Sequence, residues 1–345
     1  MRPNYLALFR VLSAIALTGC IFATGFASLP GWRAQTQEQT KPKASEAETK
    51  AVAAINSAPD AAAKLVAAGE FIKKHPKSAY RADVVAYVAS EIGQVTDPNQ
   101  KVKLAEDYQK VFKEPDDLEP IQLVMIDGLL ALKRIDDAFS QAAALLAKHP
   151  DNVAVMSQLA FTGTEEAKRQ NAKHVPVSLQ YGLKSIELIE ANKKPANIDD
   201  ARWERQKTML PQLYLTMGIL SLVSSNPAEA KARFEKASQL DPAEPTAYAL
   251  LGQITDDEYQ QLAQTHKGMP DGPQRNEALA KATEKMDKVI DLYARALGAS
   301  AGKPEHKGLN EQVLQAVTPY YKFRHNGSTE GLQQLIDKYK SPAKP

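Results

Sequence analysis

The sequence predicts an all-α protein built as an array of helical hairpins. Beyond about residue 44, apolar residues recur at the i, i+3, i+4, i+7 spacing of helices that bury one face, and alternating strand patterns are absent. Proline, glycine, asparagine or aspartate interrupts this pattern about every 15–20 residues, as expected for short helices joined by turns. Alanine, which favours helix, is used heavily.

The first 29 residues have the pattern of an export signal. Arg2 and Arg10 lie in a basic segment without acidic residues, and an uncharged apolar segment follows at 11–29. Three outcomes are open. In the first, Cys20 is lipidated, because it ends a Leu-Thr-Gly-Cys motif that resembles the lipidation site of bacterial lipoproteins. In the second, a signal peptidase cleaves after Ala27. In the third, the segment stays as an uncleaved membrane anchor. Each outcome places the remaining chain outside the cytoplasm, in the periplasm or attached to an envelope membrane.

Residues 30–44 are predicted to form a flexible linker, because they offer little apolar surface to bury. The formal net charge of +2 is accounted for by Arg2 and Arg10, so the exported part is close to neutral. This balance argues against a nucleic-acid partner, which usually needs a basic face. The single cysteine excludes an internal disulfide and a cysteine-rich zinc site.

Proline-containing stops divide the helical part into seven predicted hairpins. At several of these stops an Asp or Asn stands just before the proline and can cap the following helix, and proline is accepted in a first helical turn. The predicted pairs are 45–57 with 60–75, 78–94 with 98–112, 117–132 with 136–148, 152–169 with 176–193, 203–224 with 227–239, 244–265 with 274–298, and 308–325 with 328–340.

Two of these hairpins share a 34-residue pattern. In the first, positions 4, 7, 8, 20, 24, 27 and 32 hold Tyr214, Met217, Gly218, Ala230, Phe234, Ala237 and Pro242. The next unit begins at once, with Tyr248, Leu251 and Gly252 at positions 4, 7 and 8. An insertion from Asp256 to Gly272 moves the second helix of this unit further along the chain. Positions 24 and 27 are then assigned to Tyr293 and Ala296. This pattern closely resembles the tetratricopeptide repeat of bacterial exported proteins.

The resemblance implies a right-handed α–α superhelix in which neighbouring hairpins bury each other's faces. It assigns residues 45–300 to repeats, with the best units at 211–242 and 245–298, and residues 301–345 to capping helices and a tail. A weaker unit ends at Pro150.

Tetratricopeptide proteins bind peptides or helices in a concave groove lined by the first helix of each pair. The corresponding groove positions here are Gln212, Leu215, Ile219 and Leu222 in the best unit, Thr246, Ala249, Gln253 and Asp256 in the next, and Pro120, Leu123, Asp127 and Leu130 in the Pro150 unit. Lysine, arginine and asparagine are absent from these positions, so capture of an acidic C-terminal tail is not expected.

Catalytic and cofactor motifs are absent from the sequence. It contains no phosphate-binding glycine loop and no His-Glu-x-x-His, and its six histidines are scattered. We therefore expect no cofactor, no metal site, no enzymatic activity and a protein partner. Two alternatives stay open: binding of envelope glycan or lipid, and an enzyme with a site in the irregular segments 160–210 or 256–275. The aromatic and basic segment 320–324 (YYKFR) fits either a headgroup site or the packed face of a capping helix.

Overall fold

The computed structural model describes residues 45–196 and 198–340, and every regular element within them is a helix. The prediction of an all-α helical repeat is therefore confirmed. The predicted export signal at 1–29 with Cys20, the predicted linker at 30–44 and the end of the predicted tail lie outside the described residues. The chain divides into two compact units, with the boundary between Asn152 and Val153.

The first unit contains three successive helical hairpins in its described part. Their helices are α1 (Glu46–Ser57), α2 (Ala61–Lys74), α3 (Arg81–Gly93), α4 (Pro98–Val111), α5 (Pro115–Ala131) and α6 (Ile135–Lys148). Each hairpin also packs on the next, through α2 with α3 and through α3 and α4 with α5. The apolar core lies between the hairpins and is centred on Phe71, Tyr108 and Phe112, each with 2% or less of its surface exposed.

The second unit follows the same plan and contains the two longest helices of the described residues. Its elements are α7 (Val153–Lys168), α8 (Val175–Glu190), α9 (Asp200–Lys207), α10 (Leu210–Val223), α11 (Pro227–Leu240), α12 (Pro245–Lys267), α13 (Pro273–Ser300), α14 (Lys307–Arg324) and α15 (Leu332–Asp337), with a short 3₁₀ turn at Pro304–His306. Helices α7 with α8, α10 with α11, and α12 with α13 form hairpins, and α14 and α15 both pack on α13.

Two predicted boundaries were wrong. The helix expected at 203–224 is two helices, α9 and α10, because Pro211 starts a new helix and cannot continue the old one. The last helix begins only at Leu332, after Gly331, whose φ of 87° lies in the left-handed region. The insertion at 256–272 is largely helical and belongs to α12, which ends at Lys267, within two residues of the predicted end at 265.

The glycine and aromatic positions of the 34-residue pattern lie in contact. A side chain at Gly218 would collide with the ring of Phe234, and one at Gly252 would come within 2.5 Å of Tyr293 Cε1. Both rings are buried, with 0% and 5% of their surface exposed. The bare backbone at the two glycines therefore lets each hairpin close around an aromatic ring.

Candidate functional site

Five of the twelve predicted groove residues are buried. Leu215, Ile219, Leu222, Thr246 and Ala249 are 0–3% exposed and pack into the core rather than face solvent. For the three residues on α10 the physical reason is the position of that helix, which contacts α7, α8 and α11 and is apolar on nearly all sides. A helix that is apolar all round is a buried helix, so its composition signalled this burial.

The other seven predicted groove residues are half-buried: Gln212, Gln253, Asp256, Pro120, Leu123, Asp127 and Leu130. Leu123 and Asp127 lie on α5 in the first unit, where Asp127 Oδ2 accepts a hydrogen bond of 2.9 Å from Lys101 Nζ. Gln212 and Gln253 lie in the second unit, on α10 and α12. Gln253 has the most distinctive surroundings, and the candidate site is built around it.

Four polar residues line one face of α12. They are Gln253, Asp256, Asp257 and Gln260, at the i, i+3, i+4, i+7 spacing that brings side chains onto the same face of a helix. We call these four residues the α12 stripe. The carboxamide oxygen of Gln253 is buried and accepts no hydrogen bond from the described residues, which is unusual because buried polar atoms are normally paired.

Tyr320 of α14 lies against this stripe. Its hydroxyl donates to Asp256 Oδ1 at 2.5 Å, and the Gln260 amide donates to the same oxygen at 3.2 Å and to the Tyr320 hydroxyl at 2.7 Å. The ring of Tyr259 meets the ring of Tyr320 edge-on, with 5.5 Å between their centroids. Burial, together with the hydrogen bond to Asp256, raises the pKa of Tyr320, so this hydroxyl remains a hydrogen-bond donor at neutral pH.

The two aspartates of the stripe lack a cationic partner among the described residues, and no ion pair joins either of them to lysine or arginine. Burial and the neighbouring charge of Asp256 raise the pKa of Asp257. Burial alone would also raise the pKa of Glu258, the next residue, but hydrogen bonds from Lys231 and Lys285 outweigh it and lower that pKa. Each of these lysines lies 2.7 Å from a Glu258 oxygen.

The remaining polar residues that could have formed a site make contacts that belong to the fold itself. His75 and His149 each follow a helix of the first unit, and each backbone N–H donates to the carbonyl four residues earlier, at 2.8 and 3.0 Å. Asp117 pairs with Arg81, with Oδ2 2.5 Å from Nη2. In the segment 320–324, Arg324 pairs with Asp287 and Phe323 is 75% exposed.

His266 and His306 lie at opposite ends of α13, a helix of 28 residues that spans about 40 Å. Within residues 45–340 as described, no group of three or more His, Cys, Asp or Glu side chains could hold a metal ion. Among the same residues, no helix is both long and apolar enough to cross a bilayer.

Sequence reasoning reached Gln253 and Asp256 and named Tyr320 within the segment 320–324, but it missed Tyr259 and Gln260. The repeat pattern supplied the first two because they occupy groove positions. The polar residues at i, i+3, i+4 and i+7 within 253–260 were the signal that could have added Gln260. Tyr320 contributes because α14 packs beside α12, and this tertiary contact cannot be read from the local sequence of either helix.

No protein-family model matches the chain, and no curated protein matches it. Among solved structures, a tetratricopeptide repeat protein from Parabacteroides merdae ATCC 43184 is similar, with 12% identity and a TM-score of 0.36 over 84% of this chain and 95% of that chain. PilW, described as a widely conserved type IV pilus biogenesis factor, is similar with 18% identity and a TM-score of 0.34 over 74% of this chain and 98% of that chain. The helical repeat itself follows from the helix pairing described above.

Proposed function

We propose that this protein is a non-catalytic interaction scaffold of the bacterial cell envelope that binds a peptide or helical segment of a partner protein. The observation that carries the proposal is the α12 stripe with Tyr320, a surface of hydrogen-bonding side chains on a rigid helical frame. The basic and apolar pattern of residues 1–29 supports an exported location. The same pattern supports one of the three outcomes given above: lipidation at Cys20, cleavage after Ala27, or an uncleaved membrane anchor.

The geometry of the stripe suits a peptide backbone. Gln253 and Gln260 are seven residues apart, which is about 10 Å along a helix and about three residues of an extended chain. Gln260 is exposed and its carboxamide oxygen can accept a hydrogen bond from a partner, whereas the carboxamide oxygen of Gln253 is buried. Asp256 and Asp257 offer further acceptors, and the Tyr259–Tyr320 pair offers aromatic surface. An extended or helical segment of a partner could therefore lie along the stripe and contact Gln260 and the two aspartates at once.

The titratable candidates for the enzyme alternative are His174 and His266, one in each of its two segments, and Glu305 beyond them; we propose no catalytic role for them. His174 is buried just before α8, His266 lies in the last turn of α12, and Glu305 is exposed in the 3₁₀ turn before α14. General acid–base catalysis needs its groups within hydrogen-bond reach of one reacting centre, and a mutation scan of the three with an activity screen tests for one.

Site-specific photo-crosslinking in the native host tests the proposal. A benzoylphenylalanine replaces Gln264, an exposed residue one turn beyond Gln260 on the same side of α12, and a matched control replaces the exposed Glu235 on α11. We expect the Gln264 position to crosslink to one exported protein, at a single mapped segment, and the Glu235 position not to do so. The intact mass of the recovered protein reports how the N-terminus is processed.

Identical crosslinks from both positions, or none from Gln264, would contradict a binding surface on α12. Retention of the protein on isolated cell-wall material or lipid vesicles, lost on changing Gln260 or Tyr320 to alanine, would favour the glycan or lipid alternative instead.

A further inference from the structure

One face of α13 holds the C-terminal segment, residues 332–340, which contains α15 and Tyr339. On this face Asp291, Arg295 and Gly298 follow the i, i+4, i+7 spacing that brings residues onto the same side of a helix. We call these three residues the α13 clamp. Leu332 and Ile336 of α15 are each 6% exposed and belong to the same apolar core as α13, so the segment is a packed part of the second unit.

The α13 clamp fits the side chain of Tyr339. The tyrosine hydroxyl donates a hydrogen bond to Asp291 Oδ1, and the Arg295 guanidinium lies over the ring, with 4.4 Å between Cζ and the ring centroid. Arg295 Nε donates to Asp291 Oδ2 at 2.9 Å. Burial alone would raise the pKa of Asp291, but hydrogen bonds from Tyr339 and Arg295 outweigh it and lower that pKa. The clamp therefore recognises both the hydroxyl and the ring face of a tyrosine.

Gly298 determines how closely the segment approaches α13. A Cβ at this position would lie 2.7 Å from both Ile336 O and Tyr339 Cβ, which is closer than a Cβ packs in folded proteins. The backbone of the segment thus lies directly against α13. Because alanine favours helix more than glycine does, Gly298→Ala should displace the segment and leave α13 helical.

A hinge of exposed residues joins α14 to this segment. Every residue from 322 to 330 is exposed, and these nine residues could span about 30 Å if they were extended. In the closed hinge, Asn326, Gly327 and Gly331 have φ values of 51°, 88° and 87°. This left-handed conformation is unfavourable for Asn326, which carries a Cβ. Short hinge loops under strain favour exchange of the element that they carry between two copies of a protein.

The stability of α15 depends on the α13 clamp. This helix has six residues, and no side chain caps its N-terminus. Isolated helices shorter than about 12 residues are marginal in water, so α15 needs the contacts with α13 to stay folded. Those contacts can be made equally well by the same segment of another copy.

We propose that the α13 clamp is a binding site for the C-terminal segment of a second copy of this chain, so that two copies exchange α15 and Tyr339 and form a closed dimer. Each contact that the segment makes with the clamp in one chain is then made between two chains, and the extended hinge releases the left-handed conformation at Asn326. Exchange of an identical element is an accessible route to dimers. The clamp shares no residue with the α12 stripe.

Mixing two isotopic forms of the protein tests this exchange. The full chain is prepared in unlabelled and in isotopically heavy form, each with benzoylphenylalanine in place of Leu335, which is half-buried against the same apolar core. After the two forms have been incubated together and irradiated, peptides that link α15 to α13 are identified by mass. We expect about half of the linked pairs in the dimer fraction to combine a light with a heavy peptide, and none in the monomer fraction.

A proline in the hinge should shift the balance towards the dimer. Gly327→Pro excludes the positive φ at 327 and disfavours the left-handed conformation of Asn326 before it. We expect light scattering to give this variant twice the mass of the parent monomer. Adding Gly298→Ala should return it to a monomer, because the clamp then rejects the segment of either chain. Gly268→Ala is the control, since a Cβ there would lie at an ordinary 3.7 Å from Thr265 O, and it should leave the dimer unchanged.

Three outcomes would overturn the exchange. Linked pairs that always join peptides of one isotope, at the highest soluble concentration of the parent protein, would show that the segment stays with its own chain. A folded Gly327→Pro variant that remains monomeric would show that the clamp does not take a second copy. A dimer that persists after Gly298→Ala would place the interface elsewhere. If Gly327→Pro does not fold, the isotope result for the parent hinge decides.

Discussion

The two units reach the same hairpin plan by different means. In the second unit, five glycines are buried where helices meet: Gly163, Gly182, Gly218, Gly252 and Gly298. In the described part of the first unit only Gly128 is buried, and ion pairs such as Arg81 with Asp117 and Lys64 with Glu91 link neighbouring helices. The second unit has ion pairs between helices as well, for example from Glu258 to Lys231 and Lys285. Close backbone approach at buried glycines therefore distinguishes the second unit, whereas charge pairing is common to both.

The largest effect is expected from Phe234, the ring that fills the space beside Gly218. Phe234→Ala should lower the free energy of unfolding by about 3–5 kcal/mol, because it removes a fully buried ring and leaves a cavity. Urea unfolding followed by circular dichroism, with hydrogen exchange of α10 and α11, measures this change.

The matched control is Phe323→Ala, since Phe323 is 75% exposed. This variant should stay within about 0.5 kcal/mol of the parent protein. Equal losses from the two phenylalanines would show that the glycine–aromatic contact is not what stabilises the second unit.

A smaller effect is expected from the ion pair of the first unit. The carboxylate of Asp117 is only 7% exposed, and Asp117→Asn leaves Arg81 without its anion. A fully buried pair broken in this way costs about 3–5 kcal/mol. Because 23% of the Arg81 side chain is exposed, we expect a loss of about 2 kcal/mol and faster hydrogen exchange in α3 and α5.

Asp107→Asn is the control for this variant, because Asp107 pairs with Lys110 at the surface of α4. A surface pair contributes about 0–1 kcal/mol. If the two variants lose equal stability, the Arg81–Asp117 pair contributes no more than a surface pair and does not fix α5 on α3.

The smallest effects concern two neighbouring carboxylates on α12 with opposite pH dependence. The folded-state pKa of Glu258 is lowered, so its stabilisation is present above the unfolded pKa of about 4.3 and is lost as the pH falls through the folded-state pKa. The folded-state pKa of Asp257 is raised, so its ionised form destabilises the fold at neutral pH. This destabilisation decreases as the pH falls through the folded-state pKa of Asp257, and it is gone below the pKa that Asp257 has in the unfolded chain.

Glu258→Gln should therefore lower stability at pH 7 by about 1 kcal/mol, and Asp257→Asn should raise it by less than about 0.5 kcal/mol, both limited by solvent screening. Urea unfolding across a pH series should show both differences disappearing at acidic pH. Differences of the same sign at pH 7 would contradict the uneven charge matching on α12.

Much of the fold could be predicted from the sequence, because the residues that end one helix and start the next are neighbours in the chain. Proline with a preceding Asp, Asn or Ser marks helix starts such as α4 and α11, where Asp97 and Asn226 accept a hydrogen bond from the first turn. The break at Pro211 was accessible by the same reasoning and was missed. The pairing of Arg81 with Asp117, 36 residues apart, was not, because many acidic residues could have served and only tertiary packing selects one.

The candidate site divides in the same way. Gln253 and Asp256 follow from the repeat register. Their meeting with Tyr320, 64 residues beyond Asp256, depends on the path of α13 and α14. The burial of Leu215 and Ile219 shows the limit of register alone, since the same position can face a groove in one hairpin and the core in another.

The long α12–α13 hairpin also bears on how such proteins can change. Phe234 follows Gly218 by 16 residues, whereas Tyr293 follows Gly252 by 41, yet both rings pack on their glycines. The additional residues extend the far end of the hairpin and leave its base unaltered. Exposed loop tips tolerate insertion well, so the turn at Gly272 offers a place to graft a fluorescent or affinity module without disturbing the repeat register.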